Sequence, residues 1–178
     1  TNTWSSKTAA QVLGSANSDF VPSVGYYHPF GGGRVVLWDS NGEVLIWNPS
    51  TNVWTDRTQA IRDAGLPDRF VPSVGYYHPF GGGRVVLWDE DSNVWIYNPS
   101  DGRWSDRTDE VHKVIHNDTG MPLNERIVAG YYHPFGGGRI VLWGENGRVL
   151  IYNPDAGRWS DRSQEIRDIG IPDNLVSI

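Results

Sequence analysis

A mostly β repeat fold, with four short antiparallel strands and one short helix to a unit of about 50 residues, follows from two repeated motifs in the 178-residue chain. Residues 20–39 and 70–89 are identical, FVPSVGYYHPFGGGRVVLWD, and a third copy runs from Gly130 as GYYHPFGGGRIVLW. Judged from Gly25, Gly75 and Gly130, the copies lie 50 and 55 residues apart. A second marker occurs four times, as TNTWSSKT, TNVWTDRT, DGRWSDRT and AGRWSDRS around Trp4, Trp54, Trp104 and Trp159. Such identity implies recent duplication or deliberate design.

Within one unit, the first strand is expected over 24–28, ended by Pro29 and the Gly31-Gly32-Gly33 turn, because Pro cannot continue a ladder. The second spans 34–38 and carries apolar residues on both faces, as in a sheet packed on two sides. Asn41-Gly42 supplies a hairpin turn, since both residues tolerate positive φ. Asn146-Gly147 repeats it, and the middle copy has Ser92-Asn93. The third strand covers 44–47 and stops at Asn48-Pro49; the fourth centres on Trp54. A short helix follows, with Thr58 as N-cap and Gly65 past its end. Ser163 and Gly170 repeat this arrangement, as do Thr108 and Gly120 around a longer helix that takes up the five extra residues near His112 to Asp118.

Composition supports the same class and narrows the function. Gly is 21, Pro 11 and Trp 9 against a single Met and no Cys, a balance that favours strands joined by tight turns. The net charge is −6, with two lysines (Lys7 and Lys113) and thirteen arginines, which argues against a nucleic-acid partner. Without cysteine there is no disulfide framework and no thiol nucleophile. No apolar run reaches the length of a membrane span, and no signal peptide is visible, so no membrane partner is expected.

Four antiparallel strands per 50-residue repeat is the pattern of a β-propeller blade. One domain over 1–178 is expected: a partial blade at 1–23, repeats at 24–73 and 74–128 (the second with the longer helix), and a third repeat with the lead-in to another blade at 129–178. The stretch IWNPSTNVWTDRT resembles the kelch repeat, although kelch glycines follow a hydrophobic strand and these precede one. The helix, the Gly65-Leu66-Pro67 stop and the blade length are similar to hemopexin-like repeats, a family of four-bladed propellers whose blades each end in a helix. The chain departs from that family in beginning its first strand with Val-Gly-Tyr-Tyr and in lacking the closing disulfide. Three full periods plus the start and end of a fourth do not make an ordinary ring. Two chains completing one ring of six to eight blades, one chain closing a small ring through its termini, and a head-to-tail filament all fit; a closed homo-oligomer is favoured.

The repeated side chains suggest a binding role. Trp54, Trp104 and Trp159 are either blade packing or platforms on which a sugar face stacks, with Asp56 and Arg57, Asp106 and Arg107, and Asp161 and Arg162 supplying polar contacts. The same Asp and Arg residues could instead anchor the helix. Tyr27, Tyr77 and Tyr132 join the tentative set. His28, His78 and His133 occupy equivalent positions, where turn histidines bonding backbone are commoner than a three-imidazole metal site. The glycine run reads as a turn, and the loop from Asp39 to Glu43 as a hairpin. Catalysis needs an asymmetric constellation, and nearly every polar residue here recurs. The unrepeated region from Asp109 to Glu125 holds His112, His116, Asp118 and Glu125; the spacing puts His112 and His116 on one helix face, which is read as solvated in preference to a metal site. The expectation is a non-catalytic, multivalent carbohydrate-binding protein without cofactor. The alternative is a structural or protein-interaction module without a small-molecule ligand, of which a self-assembling ring or filament and an engineered propeller are two forms.

Overall fold

The computed structural model describes residues 8–14, 19–29, 32–79, 82–134 and 137–170. It contains three four-stranded antiparallel sheets, each a simple meander. Sheet 1 is β1 (Pro22–His28), β2 (Arg34–Asp39), β3 (Val44–Asn48) and β4 (Val53–Asp56). Sheet 2 is β5 (Pro72–His78), β6 (Arg84–Asp89), β7 (Val94–Asn98) and β8 (Arg103–Asp106). Sheet 3 is β9 (Ile127–His133), β10 (Arg139–Gly144), β11 (Val149–Asn153) and β12 (Arg158–Asp161). Helix α1 (Ala9–Leu13) precedes sheet 1, and α2 (Thr58–Asp63), α3 (Thr108–Thr119) and α4 (Ser163–Asp168) follow the three sheets in turn. The expected Trp4 strand and the lead-in at 171–178 lie outside the described residues.

Three local expectations need correction. The first strand begins at Pro22, two residues early, with a bulge at Ser23, whose hydroxyl donates to the Trp38 carbonyl at 3.2 Å. Proline is tolerated there because β1 is the edge strand of its sheet. In the hairpin, only one residue takes positive φ: Gly42 at 78° and, at the equivalent position of the middle copy, Ser92 at 63°, the first of the expected Ser92-Asn93 pair. The loop is held instead by Asp39, whose Oδ1 accepts the N–H groups of Asn41 at 2.9 Å and Glu43 at 2.8 Å. Asp89 accepts Asp91 and Asn93 in the same way. The third copy has Gly144 because the Glu125 carboxylate occupies the space a side chain would need. Finally, Thr58 is not the N-cap but the first helical residue, and its hydroxyl accepts the Val44 N–H at 2.9 Å, tying the helix to β3.

The sheets stack face to face, with their first strands β1, β5 and β9 packed in series. Alternation along β2 sends Val36 and Trp38 towards sheet 2, where they meet Leu66, Phe70, Val85, Leu87 and Trp104. Sheet 2 repeats this against sheet 3 with Val86 and Trp88 facing Ile140 and Leu142. The closeness of the stack rests on glycine. A Cβ on Gly75 would lie 2.8 Å from the Tyr26 ring of the preceding sheet and 3.0 Å from Leu87. A Cβ on Gly130 would lie 2.9 Å from Val74 and 3.3 Å from Tyr76. Each inner strand thus gives up one side chain so that the previous sheet's first tyrosine can lie on its backbone.

A side chain at the next level closes each interface. Arg62 on α2 donates to the carbonyls of Gly42 at 3.0 Å, Phe70 at 3.1 Å and Pro67, and lies 6.0 Å from the Trp38 ring centroid. His112 holds the equivalent place on α3, with Nε2 2.8 Å from the Ser92 carbonyl and Nδ1 2.8 Å from that of Leu123. His112 is therefore a buried structural residue and not part of a solvated helix face.

Adding a methyl group at Gly75 should push Tyr26 and Leu87 apart and cost about 1–3 kcal/mol, as overpacking generally does. Gly25→Ala meets only Leu37 and the Val36 carbonyl, both of its own sheet, among the described residues and should cost less. Denaturant unfolding of Gly75→Ala beside Gly25→Ala measures the difference; equal midpoints would contradict the tyrosine seat.

Candidate functional site

The WTDRT-type motif expected to carry binding is largely spent on structure. Asp56 Oδ1 accepts the Thr58 N–H at 2.8 Å, and Asp106 Oδ1 accepts both the Thr108 N–H at 2.9 Å and its hydroxyl at 2.7 Å. Asp161 does the same for Ser163 and also pairs with Arg148. Partial burial pushes the Asp161 carboxyl up, but the Ser163 hydrogen bonds and the Arg148 guanidinium outweigh it and hold the group below the usual carboxylate range. Arg107 and Arg162 pair with Glu110 and Glu165 three residues along their own helices.

The aromatic residues divide by depth. Trp104 and Trp159 are only 8% exposed and belong to the cores between sheets, so neither presents the broad ring face a pyranose stacks on, although part of Trp104 lines a groove. Trp54 is half-buried against Leu13, Phe20 and Leu45. Tyr27 is 60% exposed, whereas its counterpart Tyr77 is 5% exposed, set edge-on to His28 with centroids 5.1 Å apart. Tyr132 is half-buried, edge-on to Tyr77 at 6.5 Å. His28, His78 and His133 do not converge: no group of three or more His, Cys, Asp or Glu among the described residues could hold a metal ion.

Two kinds of unfilled surface remain. The first is at the ends of the stack. The middle inner strand β5 is buried along most of its length, while β1 and β9 are half open. Tyr131 is 46% exposed, although its counterpart Tyr76 is buried at 4%. At the other end, Gly25 has no side chain from another sheet within 4 Å among the described residues, unlike Gly75 and Gly130. Helix α1 and Phe20 cover the outer half of that face, the part that α2 and Phe70 cover on sheet 2.

The second is a groove of about 550 Å³ between sheets 1 and 2, bounded by α2. Its walls are Val36, Ile46, Ile61, Val85, Tyr97 and Trp104, and two cations, Arg34 and Arg57, open onto it. Arg34 Nε is buried without a hydrogen-bond partner. Arg57 lacks the glutamate that engages Arg107 and Arg162, because Ala60 stands in that position. At the equivalent interface between sheets 2 and 3, the longer α3 packs along β12, and Asp118 accepts the Trp159 N–H at 2.9 Å. Of the residues expected to bind, the groove gathers Arg57 and Trp104; it adds His28, expected as a turn histidine, and Arg34, Tyr26 and Tyr97, which the repeat pattern alone does not single out. The absent glutamate at Ala60 is the sequence signal that marks it.

No protein-family model matches the chain, so neither the hemopexin-like nor the kelch-like resemblance gains support. No curated protein matches it either. Among solved structures, the chain is similar to YCF48 bound to D1 peptide, at 15% identity and a TM-score of 0.40 over 75% of this chain and 36% of that one. It is similar to PorZ, a bacterial surface component of the type-IX secretion system of Porphyromonas gingivalis, at 9% identity and a TM-score of 0.39 over 72% of this chain and 20% of that one. It is also similar to BBS1N in complex with ARL6DN, at 17% identity and a TM-score of 0.41 over 77% of this chain and 39% of that one. The chain spans well under half the length of each, and likenesses this coarse assign it no family.

Burial pushes the Tyr26 and Tyr76 hydroxyls far above the ordinary tyrosine range, partly offset at Tyr76 by a hydrogen bond from the Trp88 indole. The folded chain keeps both neutral where the unfolded chain ionises, near pH 10. Stability should therefore be full below that pH and fall as pH rises through it. Denaturant midpoints across about pH 8–11 test this, with a flatter decline expected in Tyr26→Phe and Tyr76→Phe; an unchanged decline would contradict it.

Proposed function

We propose that this chain is a non-catalytic protein-interaction module built as an open arc of three propeller-type blades. The observation that carries the reading is the pair of partly open end faces. Tyr131 at one end is 46% exposed and, among the described residues, Gly25 at the other meets no side chain of another sheet, whereas Tyr76 and Gly75 in the middle of the arc are buried. A surface that can bury a tyrosine on a glycine backbone fits another β-sheet of the same kind, because both halves of the contact already occur twice in this chain. A second copy is such a sheet, and pairing of copies would complete a closed homo-oligomer.

The carbohydrate reading has less to stand on. Two of the three proposed stacking tryptophans are buried, and the three aspartates are engaged in helix anchoring. The repetition of nearly every polar side chain supports a role in binding over one in chemistry, since catalysis calls for groups with unlike environments.

Light scattering across a concentration series tests self-assembly. A mass above the 19.9 kDa monomer is expected at high concentration, returning to the monomer in Tyr131→Ser. A monomer at every concentration would contradict pairing of copies, and specific retention on immobilised glycans would restore the carbohydrate reading.

A further inference from the structure

The groove between sheets 1 and 2 is chemically unlike the rest of the surface. The chain is acidic overall, at −6, yet two guanidinium groups open onto one apolar cleft with no carboxylate assigned to either among the described residues. Arg34 Nε is shielded from water and lacks a partner. A buried, unpartnered donor on a cation costs more than an ordinary missed hydrogen bond, so the position favours an incoming acceptor. Arg57 has been released from its helix by Ala60, whereas its two counterparts are held by Glu110 and Glu165. The apolar wall of Val36, Ile61, Val85 and Trp104 is continuous with the inter-sheet core.

We propose that this groove binds an extended peptide segment in which an acidic side chain sits beside an apolar one. The carboxylate would lie between Arg34 and Arg57, and the neighbouring apolar side chain against Ile61 and Trp104. The volume of about 550 Å³ is in the range of sites that enclose a few side chains. Arg34, partly buried in the apolar wall, gains strength from the lowered local dielectric, while Arg57 stands exposed at the rim. Neutral peptides are disfavoured because their uptake leaves the buried Arg34 Nε without an acceptor. The counterpart space between sheets 2 and 3 differs in both respects: α3 is twice the length of α2, and Arg107 is tied to Glu110. The chain is thus expected to carry one such site despite its three repeats. This inference deepens the protein-interaction reading by naming a partner chemistry, but it does not depend on the end faces.

The test is selection of a random dodecapeptide phage library on the full chain, in parallel with Arg34→Gln/Arg57→Gln. Circular dichroism and the thermal midpoint confirm that the variant is folded. On the parent chain, peptides enriched in Asp or Glu next to Leu, Ile, Phe or Trp are expected. Synthetic copies should bind at least tenfold more weakly to the double variant, and Glu→Gln copies should bind the parent equally weakly. Ala60→Glu provides an independent arm: it restores the glutamate found in the other repeats and should weaken binding without removing either arginine. Selected peptides without acidic enrichment, or peptides bound equally by the variant, would overturn the groove while leaving an interaction module standing. Recovery of no binding peptide would overturn the groove, with self-assembly through the end faces then judged by mass alone.

Discussion

The close approach of a tyrosine ring to a glycine backbone sets the geometry on which the other features of this molecule depend. Gly75 and Gly130 let consecutive sheets come near enough for Tyr26 and Tyr76 to pack against the next inner strand, so each pair of facing sheets encloses a core. With the sheets at that separation, Trp38 and Trp88 become fully buried, and Arg62 and His112 can reach across to carbonyls on the neighbouring hairpin. The WTDRT motif then completes the unit locally, since the Asp56–Thr58 pair fixes the helix to β3 and the helix end meets the next sheet, where Trp104 N–H donates to the Ala64 carbonyl at 2.9 Å. A repeat of this kind adds stability mainly through its neighbour contacts, which is why an end repeat with one face open differs from the middle one.

Function enters where the repetition is broken. Ala60 in place of a glutamate frees Arg57, and a six-residue α2 in place of a twelve-residue α3 leaves space beside it. Glu125, replacing the phenylalanine at Phe70, brings a buried carboxylate that pairs with Arg148 at 3.0 Å and excludes a side chain from Gly144. These substitutions change charge and volume at interfaces whose backbone frame is unchanged. One scaffold therefore supports a groove lined by two arginines at one interface and a helix-packed contact at the next.

The repeat period, the four-strand meander and the helix after each sheet were legible in the sequence because alternating apolar residues, Asn-Pro stops and glycines act locally. The hairpin chemistry was less legible: Asn41-Gly42 advertises a two-residue turn, but the carboxylate of Asp39 at the strand end holds a longer loop through hydrogen bonds that have no periodic signature. The role of Trp104 and Trp159 was ambiguous for a physical reason, since an indole suits a sugar platform and a sheet interface equally well, and burial separates the two only once the neighbouring sheet is placed. His112 was assigned to a solvated face because its bonds run to Ser92 and Leu123, on either side of the helix in sequence. The groove depends on an absence, the missing Glu at Ala60, which repeat alignment can reveal but composition cannot.

Amide hydrogen exchange, resolved by strand and carried out at a dilution where the chain is monomeric, tests the two-sided packing most directly. The slowest exchange is expected in β5, whose tyrosines are covered on both sides, with β1 and β9 faster and slowing as concentration rises. Equal protection of all three inner strands in the dilute monomer would show that the stack does not depend on the seat between tyrosine and glycine.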